Sequence, residues 1–138
     1  MVSNELLNSI KTNEGFRSKV YEDTLGFDTI GYGFAIKDLV LDEDIALIIL
    51  TRKLENLVSR IEDKFDWFCG MPNLVQDVII EMCYQLGISG FSKFRKTIGY
   101  LQTKQWVRAS IEMLDSKWAR QTPNRAKHLS KIVELCTP

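Results

Sequence analysis

Two carboxylate side chains near the start of the chain have a spacing that could support acid–base chemistry. Glu14 and Asp23 bracket a strand-like run, Arg17 to Tyr21, and Thr29 follows on a second run. Asp23 opens the sequence Asp-Thr-Leu-Gly, which is typical of a turn because Asp is favoured at its first position and Gly near its end. A pair of carboxyl groups, one protonated and one ionised, is the usual acid–base equipment of a glycosidase.

A helix over residues 4–13 is predicted to position Glu14. Gly15 is a natural stop for this helix. Glu14 would then lie in the last turn, where the partial negative charge of the helix end disfavours the ionised form of a carboxyl group. Asp23, at a polar turn, is expected to be ionised. Carboxylates with such spacing are also common in purely structural roles, so the pattern alone leaves both interpretations open.

The residues after the turn predict a small β-hairpin placed directly after this helix. The second run extends from Asp28 to Phe34 and contains Gly31 and Gly33. Glycine within a strand indicates a bulge or the close approach of another group. The sequence therefore predicts one carboxylate at a helix end and one at a hairpin turn.

Composition limits the class of protein. The chain has 138 residues and 45% hydrophobic residues, which suits one domain, possibly with two lobes. No apolar run reaches the roughly 18 residues needed to span a membrane. The polar N-terminus predicts that there is no signal peptide. We expect no membrane insertion.

The cysteine and histidine content predicts reduced thiols and no metal site. Three cysteines, Cys69, Cys83 and Cys136, are an odd number with wide spacing, which favours a cytosolic compartment. One His and no Cys pair at ligand spacing argue against zinc. Cys83 and His128 could suggest a thiol nucleophile and base, but Cys83 lies on an apolar helix side and is expected to be a small buried hydrophobe.

Charge is unevenly distributed along a chain whose net charge is zero. Residues 1–70 contain eight basic and thirteen acidic side chains, whereas residues 71–138 contain ten and five. All ten basic side chains of the second half lie between Lys93 and Lys131. Such a face could meet nucleic acid or cell wall, or could simply be a solvated surface.

The rest of the sequence predicts a series of helices. Apolar residues at three- and four-residue spacing predict a helix from Asp42 to about Asp66, on the order of 35 Å long, which could join two lobes. A break at residues 70–73, where Asn73 could cap the next helix, precedes the predicted centre of the second lobe. The further predicted helices cover residues 74–86, 92–101, 104–114 and 123–135.

Three segments carry a resemblance to a known family. The first reads E-G-F-R…Y-x-D-T-x-G…T-I-G-Y-G, from Glu14 to Gly33; the others are Met82 to Gly87 and Ser116 to Lys127. They resemble, in the right order, the phage-type lysozymes of glycoside hydrolase family 24, especially its T-even phage members. The resemblance implies a predominantly helical α+β, lysozyme-like fold with two lobes joined by a long helix. Lobe one would cover about residues 13–60 and lobe two about 70–138, with helix 4–13 packed on lobe two.

The resemblance also implies a function and a set of site residues. The protein would be an endolysin, a muramidase that hydrolyses the β-1,4 bond between N-acetylmuramic acid and N-acetylglucosamine in peptidoglycan, by inversion. Glu14 would be the general acid, Asp23 would assist a water, and Thr29 would hold that water. No cofactor or metal is implied. The implied substrate-binding residues are Ala35, Tyr84, Gln85, Thr97, Glu112 and Arg125, with Arg125 close to Glu14.

The resemblance carries expectations about cellular context as well. We expect a monomer that accumulates in the host cytoplasm and reaches the periplasm and cell wall through a separate holin-type pore. Two alternatives stay open: a helical nucleic-acid-binding module that uses the basic face, and a lysozyme-like protein that binds wall without cutting it. Intact Glu14, Asp23 and Thr29 argue against the second alternative. No helix-turn-helix signature supports the first, so we expect no nucleic-acid partner.

Three departures from the family pattern concern details of the site. Phe34 stands where related proteins carry His, the connector between Phe34 and Asp42 is shorter than in T-even members, and Glu112 replaces an amide side chain. These differences predict a smaller first lobe and altered contacts with the substrate.

Overall fold

The computed structural model describes residues 1–136, and its contacts divide the chain into two compact units. Unit one covers Met1–Ala46 and unit two begins at Leu47. The predicted lobe boundaries, and the packing of helix 4–13 on the second lobe, stay predictions.

Unit one consists of a helix followed by a small antiparallel sheet with the strand order β1-β2-β3. The sequence predicts a two-stranded hairpin, but the second run divides into two strands. The reason is a second turn around Tyr32, flanked by Gly31 with φ 70° and Gly33 with φ 75°. Glycine adopts positive φ without steric cost, so the chain reverses there. The elements are α1 (Asn4–Glu14), β1 (Arg17–Glu22), β2 (Asp28–Gly31), β3 (Phe34–Ala35) and a 3-10 turn (Ile36–Asp38).

Local sequence signals define both ends of α1. The hydroxyl oxygen of Ser3 accepts a hydrogen bond from the Leu6 N–H at 3.1 Å, which caps the helix start. Gly15 ends the helix with φ 70°, and its N–H donates to the Lys11 carbonyl. The predicted helix is therefore confirmed, and Glu14 is its last residue.

Unit two is helical. The long helix α2 begins within unit one and runs to Lys64, two residues short of its predicted end. Pro123 opens the last helix at its first position, as predicted. The helices are α2 (Glu43–Lys64), α3 (Asn73–Ser92), α4 (Arg95–Gln102), α5 (Trp106–Leu114), α6 (Lys117–Gln121) and α7 (Pro123–Glu134), with a 3-10 turn at Phe68–Gly70.

Helix α3 supplies much of the core of unit two. Six of its residues are buried, and it packs against α7. Gly87 interrupts it with φ 76° and ψ 161°, where the sequence predicts its end, yet helical structure resumes to Ser92. The predicted cap at Asn73 is wrong, because Pro72 occupies the N-cap position and no side chain caps this helix. The buried residues of α3 are Val75, Val78, Ile79, Met82, Cys83 and Phe91.

The fold class is confirmed: a mostly helical α+β protein with a small antiparallel sheet. None of the helices in residues 1–136 has both the length and the apolar character needed to cross a membrane.

Candidate active site

The carboxylate of Glu14 lies against the turn between β2 and β3. A Cβ atom added at Gly33 would collide with Oε2 of Glu14 and lie 2.9 Å from its Cδ. The Tyr32 ring packs on Phe16 at 5.4 Å between centroids, and the Lys11 Nζ atom lies 5.9 Å from its centre. These contacts join the end of α1 to the turn and bring the candidate acid to the sheet.

Asp23 is fixed by the turn that it opens. Its Oδ1 atom accepts hydrogen bonds from the N–H groups of Leu25 at 2.9 Å and Phe27 at 2.8 Å. The Gly26 N–H also donates to the Asp23 carbonyl, which closes the predicted β-turn. With Oδ1 occupied twice, the carboxylate is held in one orientation and Oδ2 is left for another partner.

Thr29 lies on β2, in register with residues of both neighbouring strands. It pairs with Tyr21 on one side and Ala35 on the other. Directly paired residues point to the same face of a sheet, so these three side chains form a row. Thr29 is only 3% exposed, and its hydroxyl donates to the Phe27 carbonyl at 2.9 Å. Because the hydroxyl proton is used, the oxygen can act only as an acceptor toward a further molecule.

The described residues bury little of the candidate acid. Glu14 is exposed, and its neighbour Phe16 is 63% exposed. Residues 1–136 also provide no ion pair to the Glu14 carboxylate. Packing against the turn is therefore what defines its position.

In unit two, a pocket of about 670 Å³ collects two of the predicted substrate-binding residues. Thr97 in the first turn of α4 and Glu112 on α5 both line it, together with Trp118. The Trp118 Nε1–H donates to the Gln85 side-chain oxygen at 2.8 Å, so Gln85 orients a ring of the pocket wall. Four exposed basic side chains outnumber the two acidic ones, Glu112 and Asp115, around this pocket: Lys93, Arg95, Lys96 and Lys117.

The other two predicted residues of unit two lie elsewhere. Tyr84 is exposed on α3. Arg125 on α7 donates through Nε to Oε2 of Glu81 at 2.8 Å, and both side chains remain over one-third exposed. The expected proximity of Arg125 to Glu14 joins two units and stays a prediction.

Cys83 has the properties of a core residue rather than a nucleophile. Burial raises the pKa of the Cys83 thiol to about 12, so the reactive thiolate is disfavoured. His128 is exposed whereas Cys83 is 1% exposed. The described residues also contain no group of three or more His, Cys, Asp or Glu side chains placed to share a metal ion.

Two contributors to this geometry have no role in the sequence analysis, and a third appears there without its partner. The roles of Glu81 and Trp118 become visible only through their partners on other helices, Arg125 and Gln85. Gly33 carries a signal, because glycine in a strand indicates close approach by another group. The sequence does not reveal that this group is the Glu14 carboxylate.

Comparison with known proteins adds an independent result. The family model described as phage lysozyme matches residues 11–133. Two proteins of Dictyostelium discoideum are similar over nearly their whole length. Probable T4-type lysozyme 1 is 26% identical, covering 93% of this chain and 92% of the relative. Probable T4-type lysozyme 2 is 28% identical, covering 99% and 97%.

A third relative is a larger protein. The pre-baseplate central spike protein of Enterobacteria phage T4 is 26% identical over 90% of this chain, but the match covers only 26% of that protein. The similarity is therefore confined to one part of the spike protein.

Proposed function

The chain belongs to the phage lysozyme family, and from that membership we propose that it cleaves the β-1,4 bond between N-acetylmuramic acid and N-acetylglucosamine. The protein is a glycoside hydrolase of the lysozyme type, with peptidoglycan as its substrate. The observation that supports the finer proposal is that all three candidate groups belong to the sheet of unit one or its turns: Thr29 lies on β2, Glu14 rests against the turn between β2 and β3, and Asp23 fixes the turn after β1.

Glu14 acts as the general acid in this proposal. It protonates the oxygen of the departing sugar while the bond from that oxygen to the anomeric carbon breaks. Its position at the end of α1, against the turn at Gly33, supports the role because it holds the carboxyl group at the sheet that carries Thr29.

Asp23 and Thr29 hold the attacking water. The free Oδ2 of Asp23 and the lone pair of the Thr29 hydroxyl are both acceptors, so one water can donate a proton to each. The oxygen lone pair of that water is then directed at the anomeric carbon. Asp23 receives the proton that the water loses as its bond to carbon forms.

This arrangement supports inversion at the anomeric centre. A group that holds water is needed from the start only in a single displacement, whereas retention would require Asp23 itself to attack. The product would then carry an α-configured reducing end.

The substrate-binding residues divide between the units. In unit one, Ala35 pairs with Thr29 and supplies a small side chain beside the water site. In unit two, the Gln85–Trp118 pair and the pocket with Thr97 and Glu112 offer hydrogen-bonding groups and an aromatic ring. Tyr84 and Arg125 supply further exposed polar groups. We assign all six to binding of the glycan or its peptide stems.

The deciding experiment combines one substitution with one product analysis. Glu14→Gln removes the proposed proton donor and should lower kcat on purified peptidoglycan by roughly 10²–10⁴-fold. Glu22→Gln is the matched control, because Glu22 is an exposed carboxylate of the same unit with no assigned role. Proton NMR of the first-formed reducing end should show the α-anomer. An initial β-anomer, or an active Glu14→Gln variant, would refute the mechanism.

A further inference from the structure

We propose that Gly33 is a positioning residue for the general acid: the side chain it lacks leaves the space that the Glu14 carboxylate occupies. The inference rests on the proposed function, because it gives Glu14 the acid role. It goes beyond that function by assigning the placement of the acid to one backbone position in the turn between β2 and β3.

The geometry around Gly33 carries the argument. An ideal Cβ built on this residue meets three atoms of one side chain, Oε2, Cδ and Cγ of Glu14, with Cδ at 2.9 Å and Cγ at 3.5 Å. Apart from its chain neighbours Tyr32 and Phe34, no other residue contributes an atom to its three nearest neighbours. The carboxylate therefore rests directly on the Gly33 backbone, where any L side chain would displace it.

The displaced group is the flexible end of a side chain, and this determines what a substitution would do. If backbone atoms of another segment lay there instead, the new methyl group would clash with them and the fold would be disrupted. The Glu14 carboxylate can instead rotate away, because it is exposed and the described residues give it no ion pair. The fold should survive while the proton donor moves from its place.

The contacts around Tyr32 explain why the helix end cannot follow the carboxylate. Tyr32, between Gly31 and Gly33, packs against Phe16 and lies under the Lys11 ammonium group. Residues on both sides of Glu14 are thus held to the turn. Only the Glu14 side chain is free to adjust. A Cβ atom at position 33 would therefore displace the Glu14 carboxylate rather than the helix end.

Other glycines of the chain separate this effect from backbone strain. Gly87 has nearly the same φ, 76° against 75°, but open space around an added Cβ. Gly31 has φ 70° and lies in the same turn, yet its added Cβ would meet the ring of the exposed Phe34. Gly87→Ala therefore measures strain alone, and Gly31→Ala measures strain with crowding in the turn.

The test compares Gly33→Ala with these two variants on purified peptidoglycan. Gly33→Ala should lower kcat on the order of 10²-fold with little change in KM, since misplacement of a catalytic group by about 1 Å has an effect of this size. Its melting temperature should fall no further than that of Gly31→Ala. Per folded molecule, both controls should keep the kcat of the wild type, so a loss of kcat confined to position 33 separates displacement of the acid from backbone strain.

A second substitution guards against a folding defect. Gly33→Asn keeps the added Cβ but reduces strain, because Asn tolerates positive φ better than Ala. It should fold better than Gly33→Ala and be equally impaired in kcat. Wild-type kcat in Gly33→Asn, or an activity loss that matches the unfolded fraction, would overturn the assignment of Gly33 while Glu14→Gln remains inactive. An active Glu14→Gln variant would overturn both the assignment and the proposed function.

Discussion

At the scale of single residues, Asp23 combines a structural and a proposed chemical role on different oxygen atoms. Oδ1 accepts from the N–H groups of Leu25 and Phe27. Asp23→Asn keeps one such acceptor and replaces only the second oxygen with an amide group. We expect this variant to lose roughly 10²–10⁴-fold in kcat, while its free energy of unfolding changes by less than about 1 kcal/mol.

Asp23→Ala is the matched comparison, because it removes both oxygens. Two backbone donors then lose their partner, and we expect a loss of about 1–2 kcal/mol in stability in addition to the loss of activity. Denaturant unfolding and kcat on peptidoglycan measure the two effects. Equal stability of the Asn and Ala variants would show that the turn does not depend on this side chain.

Cys83 makes a stability contribution that depends on pH. Its thiol pKa is raised by burial from 9.0 to about 12. Between these values the unfolded chain loses the thiol proton and the folded chain keeps it, so folding stability is full below pH 9 and falls as the pH rises toward 12. We expect the wild type to lose about 1 kcal/mol more than Cys83→Ala between pH 8 and 10.

The control for this effect is Cys69→Ala, because Cys69 is exposed. Under reducing conditions it should keep the pH dependence of the wild type. Thermal or urea unfolding at the two pH values provides the comparison. If wild type and Cys83→Ala lose stability in parallel, the alkaline sensitivity belongs to other groups.

At the scale of elements, the features that could be predicted are those with local signals. Gly15 ends α1, Asp23 and Gly26 form a turn, and Pro123 opens α7, each through backbone chemistry within a few residues. Hydrophobic spacing gave the positions of the long helices for the same reason, since the pattern repeats along the segment itself.

The remaining features depend on contacts between distant segments. The third strand exists because Phe34–Ala35 can pair with β2 after the turn at Tyr32. Helical structure resumes after Gly87 where Phe91 is buried in the core. Likewise, the type and sequence position of Glu14 made it a candidate. Only the three-dimensional structure shows that its carboxylate lies against Gly33. Tertiary packing of this kind overrides local preference and leaves little trace in one sequence.

The ion pair between α3 and α7 gives a prediction at this scale. Glu81 and Arg125 are 2.8 Å apart but more than one-third exposed, so the pair should contribute no more than about 1 kcal/mol to stability. If Arg125 binds substrate as proposed, Arg125→Ala should raise KM about tenfold with a nearly unchanged melting temperature.

Glu81→Gln is the matched variant, because it breaks the same ion pair and leaves the guanidinium in place. It should keep the KM of the wild type. Steady-state kinetics and thermal unfolding of both variants separate the roles. A Glu81→Gln variant with the same rise in KM would assign the effect to the ion pair rather than to Arg125 itself.

At the scale of the whole molecule, the two units carry opposite charge although the chain is neutral. Unit one has four basic and nine acidic side chains, and unit two has fourteen and nine. The basic groups around the pocket of unit two would attract an anionic polymer, and the acidic groups of unit one would oppose that attraction. A net charge of zero therefore does not exclude electrostatic attraction to the wall, because the attraction depends on which unit faces the polymer.

The dependence of the lysis rate on salt concentration tests whether this separation of charge between the units matters. If unit two draws the protein to an anionic wall, the rate of lysis of permeabilised cells should be highest at low salt. It should fall as the ionic strength approaches 0.1 M, where the Debye length is about 10 Å.

The paired variant Lys93→Gln/Lys96→Gln, at the pocket rim, should weaken this salt dependence. Arg52→Gln/Lys53→Gln removes the same charge from exposed positions on α2 and should preserve it. Equal salt dependence in both paired variants would mean that total charge matters and the rim does not, and a rate independent of salt in the wild type would exclude attraction by either.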